Sequence, residues 1–181
     1  MVAHNYKNQN KNVVILKPDK DTRWDMSVKV KSRAIVDPQS AISISDTQNM
    51  LELIDGILVT QAISAILVEE AQFLSKDQVR QLSIIVDNYN IPVLCYGLRC
   101  SYVDGELFEG SAALMYWADT IEEVKNVCLY CTAKATKNLL SLNGVAQYSG
   151  NQVMIGDVSG EELNFTPVCR KHYMNPPNDT L

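Results

Sequence analysis

The sequence predicts an α/β domain built on a parallel sheet, followed by a small β appendage. Three observations carry this. Short continuous apolar runs, at Val13–Leu16, Ala65–Val68 and Ile91–Leu94, read as strands buried on both faces. Segments with apolar residues at helical spacing lie between them, as a doubly covered sheet requires. After about Asn126 the texture changes to short alternating stretches joined by glycine turns, which suits antiparallel strands. The expected organisation is a core over 1–124, an appendage over 125–174, and a disordered tail over 175–181 that opens Asn175-Pro176-Pro177.

Taken in order, the first dozen residues read as the end of an amphipathic helix. Val2, Ala3 and Tyr6 fall on one side, Lys7, Asn8, Asn10 and Lys11 on the other, and no cap precedes the pattern. Asn12–Lys17 follows as a strand, stopped by Pro18, and residues 19–32 are charged and aperiodic, hence a loop. Ile42–Ser45 alternates and reads as a second strand; Asp46 or Thr47 is placed to cap a helix through Met50, Leu51, Leu53, Ile54 and Leu58. Ser75 caps the next helix, with Val79, Leu82, Ile85 and Val86 at helical spacing. In the appendage, Lys134–Leu140 and Gln147–Ile155 read as strands.

Composition narrows the function classes. The 181 residues are 46% hydrophobic, enough for a real core, and carry a formal net charge of −5, which argues against a nucleic-acid binder with a broad basic surface. No run of 18 apolar residues spans a membrane, and the N-terminal residues contain no secretory h-region, so the expected location is the cytoplasm. Five cysteines, an odd number, fit metal chemistry better than a disulfide framework.

Two constellations carry chemistry. Cys128-x-x-Cys131 and Cys169-x-x-His172 each place two soft ligands on one tight turn, and two such turns complete a tetrahedron around a structural Zn²⁺. Cys95 and Cys100 have no such pairing and read as core or pocket residues. Glu69-Glu70 end a buried strand, where open α/β sheets bind ligands. There one acid serves Mg²⁺ and its neighbour accepts a proton from an attacking hydroxyl, although two glutamates ending a strand in solvent would look the same. Strand alternation would aim the two at opposite faces. A third feature is an absence: none of the eight glycines begins a G-K-[ST] run, so these residues contain no phosphate-cradling G-x-x-x-x-G-K-[ST] loop.

These residues fall in a familiar order. Lys17-Pro18…Asp21-Thr22-Arg23, Glu69-Glu70-Ala71-Gln72-Phe73, Tyr96-Gly97-Leu98-Arg99, Gly105–Ser111, Cys128-x-x-Cys131 and Val168–Tyr173 succeed one another as in the bacterial thymidine kinases of the cellular, zinc-containing type, which the chain resembles from its first residues to about Tyr173. The resemblance implies a P-loop NTPase-like (RecA-like) sheet, a C-terminal zinc ribbon, and a lasso loop over about 143–168. It implies MgATP-dependent phosphorylation of the thymidine 5′-hydroxyl to dTMP in nucleotide salvage, a homotetramer, and feedback by dTTP. By position it makes Glu70 the general base and puts Glu69, Gln72, Asp21 and Arg23 near the metal and phosphates. Phe73, Arg99, Tyr102, Phe108 and Phe165 line the nucleoside site.

Departures from the pattern accompany it. Glu69 stands where the family has Asp, Cys100-Ser101-Tyr102 where it has Thr-Asp-Phe, and Phe165 where it has Tyr. The family's first strand and phosphate-binding loop have no counterpart in these residues, so the sequence reads as N-terminally truncated, with very low kinase activity expected. Two rivals follow: a non-enzymatic remnant that binds thymidine or packs into a tetramer, and a zinc-ribbon nucleic-acid module. Against the latter, Asp157, Glu161 and Glu162 offset Lys134, Lys137, Arg170 and Lys171.

Overall fold

The structure, a computed structural model, describes residues 2–20, 29–30, 39–151 and 163–177. Asp21 and Arg23 lie outside the described residues, as do Ile155 and the acidic Asp157, Glu161 and Glu162. The chain divides into two compact units, one of Met1–Leu98 with Glu109–Asp119, the other of Arg99–Phe108 with Thr120–Leu181.

The first unit is an α/β layer. Helix α1 (Val2–Asn8) leads into β1 (Val13–Pro18), and β4 (Ile42–Ile44), β5 (Ala65–Val68) and β6 (Val93–Cys95) complete a parallel sheet of order β4-β1-β5-β6. Register is set by Leu16 opposite both Ile42 and Val68, and by Val68 opposite Cys95. All four residues of β5 are buried, the signature of a central parallel strand. At the end of this order β6 is only half-buried, although its sequence reads like β5.

Helices α2 (Met50–Thr60), α3 (Lys76–Tyr89) and α4 (Glu109–Trp117) belong to this unit. Met50, Ile54, Val79, Leu82 and Ile85 share one core with Leu16, Ile66 and Val68. On the other side Val2 and Ala3 of α1 pack on Ile15, Ala41 and Leu67. Ser75 caps α3, as the sequence predicts, and Gln78 completes a capping box with it. The cap of α2 is Asn49 rather than Asp46 or Thr47: its Oδ1 accepts from the N–H of Leu51 at 3.0 Å and of Glu52 at 3.2 Å. The earlier polar residues form a turn instead.

Two further differences are local. Lys29–Val30 (β2) pairs with Gln39–Ser40 (β3) as a two-residue antiparallel ladder, where the sequence reads as loop. Pro18 ends β1 within the ladder, because a parallel strand's last residue contributes its carbonyl side without needing an N–H.

The second unit contains the antiparallel sheet β8-β7-β9, formed by β7 (Lys137–Leu142), β8 (Val145–Gln147) and β9 (Leu163–Val168). Asn143 and Gly144, both at positive φ, make the two-residue turn between β7 and β8. Of the strand predicted over Gln147–Ile155, residues 148–151 are not strand, and 152–155 lie outside the described residues. Strand β8 ends at Gln147, and the partner of β7 on its other side is β9, with Leu139 opposite Thr166. A one-and-a-half-turn helix, α5 (Arg170–Met174), closes the unit.

Candidate functional site: an acidic turn and a Cys/His centre

The acidic turn is built on the C-terminal end of β5. Strand β5 ends at Val68, the Glu69 N–H still donates to the Leu16 carbonyl of β1 at 2.9 Å, and the chain then bends through Glu70 into a 3-10 turn over Ala71–Phe73. Glu70 sits in the left-handed region at φ 52°, uncommon for a residue with a Cβ, so the backbone here is held rather than relaxed. Neither acid lies on the strand, so the expected strand alternation does not separate them.

What holds the turn is close backbone packing. The Ala71 N–H donates to the Tyr96 carbonyl at 2.9 Å. Gln72, 2% exposed, donates from Nε2 to Oε2 of Glu70 at 2.6 Å and accepts the Leu98 N–H at 3.1 Å. A Cβ on Gly97 would stand 2.5 Å from the Gln72 Oε1, and one on Gly110 would stand 2.5–2.8 Å from the carbonyls of Ala71, Leu74 and Gln72. Those two glycines let neighbouring backbone reach the turn. Ser111 Oγ donates to the Leu98 carbonyl at 2.6 Å, and Glu109 accepts the Lys76 N–H at 3.0 Å.

The electrostatics single out Glu69. Burial, then the neighbouring Glu70 charge, push its carboxyl above the usual carboxylate range, with Lys17 opposing. A pair of close carboxylates with one pushed up is a place where a divalent cation would relieve repulsion.

In the second unit, Cys128, Cys131, Cys169 and His172 bring one ligand atom each to within 4.8 Å of one another. Cys128 Sγ lies 3.3 Å from His172 Nδ1, Cys131 Sγ 3.9 Å from Cys169 Sγ, and Cys169 Sγ 3.6 Å from His172 Nδ1. Tetrahedral bonds of about 2.3 Å to sulfur and 2.0 Å to nitrogen put ligand atoms about 3.5–3.8 Å apart, so the four fit one metal ion. The sulfur separation is far beyond a disulfide bond of about 2.05 Å. The Cys128 N–H donates to the Ala133 carbonyl at 2.8 Å, folding the first pair, while Cys169 caps α5 and His172 follows one turn on.

Although burial raises the Cys128 thiol, hydrogen bonds from the Cys169 backbone, His172 and the Tyr130 backbone outweigh it and bring the thiol down to about 6. Arg99, Lys134, Lys137, Arg170 and Lys171 surround a cleft of about 820 Å³ beside Cys169. Three thiolates with one divalent ion would leave a net negative charge, which neighbouring cations of this cleft such as Arg170 and Lys171 would offset. Cys95, by contrast, is a half-buried thiol packed against the core of the first unit, and burial pushes it up to about 12.

Comparison with known proteins bears on both clusters. The family model described as "Thymidine kinase" matches residues 1–173. The chain belongs to the thymidine kinase family. It is 40% identical over 174 residues to the thymidine kinase of Francisella tularensis subsp. holarctica, covering 95% of this chain and 86% of that one. It is 43% identical over 175 residues to that of Streptococcus agalactiae serotype Ia, and 42% over 175 to that of Streptococcus pyogenes serotype M28; each match covers 97% of this chain and 88% of the relative.

Among the residues that the family resemblance singles out, Glu69, Glu70, Gln72 and Phe73 come together on the acidic turn. Tyr102 and Phe165 meet edge to face at 6.2 Å between ring centroids. Phe165 is 46% exposed, whereas Tyr102 is 3% exposed and Phe108 is buried. Arg99 donates from Nη2 to the Thr136 carbonyl at 3.2 Å and lines the cationic cleft. Sequence reasoning missed Tyr148 and Tyr173, whose hydroxyls both bond to backbone, and the steric roles of Gly97 and Gly110. For Tyr173 the available signal was its place directly after His172.

Proposed function

We propose that this protein is an ATP-dependent thymidine kinase that transfers the γ-phosphoryl group to the 5′-hydroxyl of thymidine. The observation that carries the reading is the acidic turn at the C-terminal end of a central parallel strand, in a chain matching the family over 1–173. Glu70 is the general base. Its carboxylate takes the 5′-hydroxyl proton as the oxygen attacks in line, and the Gln72 amide at 2.6 Å fixes its rotamer. Mg²⁺ arriving with ATP supplies charge neutralisation across the phosphates, and Glu69 is the residue placed to hold it. Asp21 and Arg23 complete the phosphate side. By the family resemblance Phe73, Arg99, Phe108 and Phe165 serve the nucleoside, with Phe165 half-exposed and Tyr102, which the resemblance also puts there, buried against it.

The same reading takes the ion at Cys128, Cys131, Cys169 and His172 as structural Zn²⁺, since four protein ligands leave no open position. It takes the first unit as a P-loop NTPase-like core and the second as a zinc ribbon bearing a lasso over about 143–168. Self-assembly to a tetramer is supported by exposed Met115, Tyr116 and Trp117 on α4. dTTP, as an end product carrying the same base, is the inhibitor to try. No described helix is long and apolar enough to cross a membrane, which supports placing the work in the cytoplasm.

The test is phosphate transfer from γ-labelled ATP to thymidine by the full natural chain and its Glu70→Gln variant. We expect dTMP from the former and a loss of about 10²–10⁴-fold in kcat from the latter. Wild-type protein that makes no dTMP, or a Glu70→Gln enzyme as fast as wild type, would sink the reading.

A further inference from the structure

Three tyrosines in the second unit are tied into one hydrogen-bonded chain. Tyr148 Oη donates to the Tyr173 carbonyl at 2.7 Å, Tyr173 Oη to the Tyr102 carbonyl at 2.7 Å, and Tyr102 Oη to the Asn151 carbonyl at 2.8 Å. The Asp104 N–H closes the circuit on the Tyr148 carbonyl at 3.0 Å. Residues 148 and 151 are therefore gripped from two sides, by the 102–104 segment, 49 positions from Tyr102 to Asn151, and by Tyr173, 25 positions from Tyr148. Tyr173 is 2% exposed and directly follows His172, so the chain of bonds starts from the Cys/His centre. Its ring packs edge to face on Tyr148 at 5.3 Å.

Two details make Tyr102 the working member. It is 3% exposed, so its ring has no open face to stack on a base, while its edge supports the half-exposed Phe165. And the bond it makes needs glycine at 150. That residue has φ +132°, and a Cβ there would stand 2.7 Å from the Tyr102 Oη but 3.9 Å from Cζ. Hydroxyl and glycine fit each other. The phenylalanine that the resemblance leads one to expect at this position would have the ring and lack the bond.

We infer that Tyr102 is a positioning residue: its hydroxyl fixes the 148–151 turn and its ring edge sets the orientation of Phe165, so that it governs nucleoside affinity without touching the nucleoside. The assignment rests on the thymidine kinase reading for its kinetic half only. A buried hydroxyl-to-carbonyl bond contributes about 1 kcal/mol net, so losing it should alter local opening by several-fold while leaving the fold intact.

The experiment is Tyr102→Phe, Gly150→Ala and the double variant in the metal-loaded full chain, read by amide hydrogen exchange and by thymidine kinetics. Tyr102→Phe is expected to speed exchange at residues 149–151 about fivefold with β7 amides at 139–141 unchanged, and to raise KM for thymidine severalfold with kcat within twofold. Gly150→Ala should speed exchange further than Tyr102→Phe does in the wild-type background; in the Tyr102→Phe background it should add less, since the clash with the oxygen is gone, but the strain of a Cβ at φ +132° remains. Unchanged exchange at 149–151 in Tyr102→Phe overturns the hydroxyl's role whatever the kinetics show. Faster exchange with KM unmoved overturns its service to the nucleoside site. Absence of thymidine phosphorylation in the wild type overturns the proposed function instead, and the exchange results then judge the tyrosine assignment alone.

Discussion

The acidic turn and the Cys/His centre both hold polar side chains at close quarters, yet their support is of opposite kinds. The turn rests on a continuous apolar core under β1 and β5, and its position is defined by backbone meeting backbone at Gly97 and Gly110. The centre stands on a small cluster of Leu139, Val168, Cys169, Cys128 and Tyr173, two of whose five members belong to the four that could hold a metal ion. A few buried side chains cannot offset the conformational entropy of so many ordered residues. The first site is held by shape and the second, on the zinc reading, by coordination, so the two should fail under different insults.

Metal removal is the harshest test of that contrast. Chelation, or Cys169→Ser, is expected to abolish protection of β7–β9 against hydrogen exchange while β1 and β5 stay protected, because structural zinc contributes on the order of 10 kcal/mol in small modules. Equal loss in both units would break the comparison. Acid should act likewise. The Cys128 thiol is held down at about 6, so its thiolate form supports the fold fully above the unfolded value near 9 and is lost as pH falls through 6. Metal release followed by zinc-indicator dye should centre at or below that range, since the ion competes with the proton.

Gly110→Ala comes next. Three carbonyls within 2.8 Å of the new methyl leave it no room, and a cost of about 3 kcal/mol in urea unfolding of the first unit is expected. A variant as stable as wild type would mean that the turn is not held by shape. Glu69→Gln should have a smaller effect of opposite sign. Its carboxyl is raised above 4.5 in the fold, so ionisation costs stability as pH rises past that value. The amide should therefore stabilise the metal-free protein at pH 7 and make no difference at pH 3.5, as thermal melts at the two pH values would show. Smallest of all, Gly56→Ala in α2, with nothing within 4 Å of the new methyl, should raise stability by about 0.5–1 kcal/mol.

What could be read from sequence follows the range of the forces involved. The strands β1 and β5 announce themselves because burial on both faces demands unbroken apolar runs. Ser75 is legible as a cap since the interaction, which Gln78 completes, spans three residues. The cysteine and histidine pairs are legible for the same reason. Strand β9 is not: Pro167 reads as a breaker, and it is tolerated because β9 is at the edge of its sheet, opposite Asn138. Helix α4 carries no clear period, as Met115, Tyr116 and Trp117 are all exposed around its end. Asn49 outcompetes Asp46 and Thr47 as the cap by geometry alone, since the helix begins only at Met50. The bond from Tyr102 to Asn151 spans 49 positions, and nothing local in either segment signals it.

The Cys/His centre also joins parts of the chain that are 44 positions apart, from Cys128 to His172. Closing such a ring has an entropic cost that grows only with the logarithm of its length, so doubling the enclosed chain adds about 0.6 kcal/mol. A cross-link of four ligands thus hardly registers how much chain it encloses, and its worth to the fold is set by the ion it can hold rather than by the length of the ring.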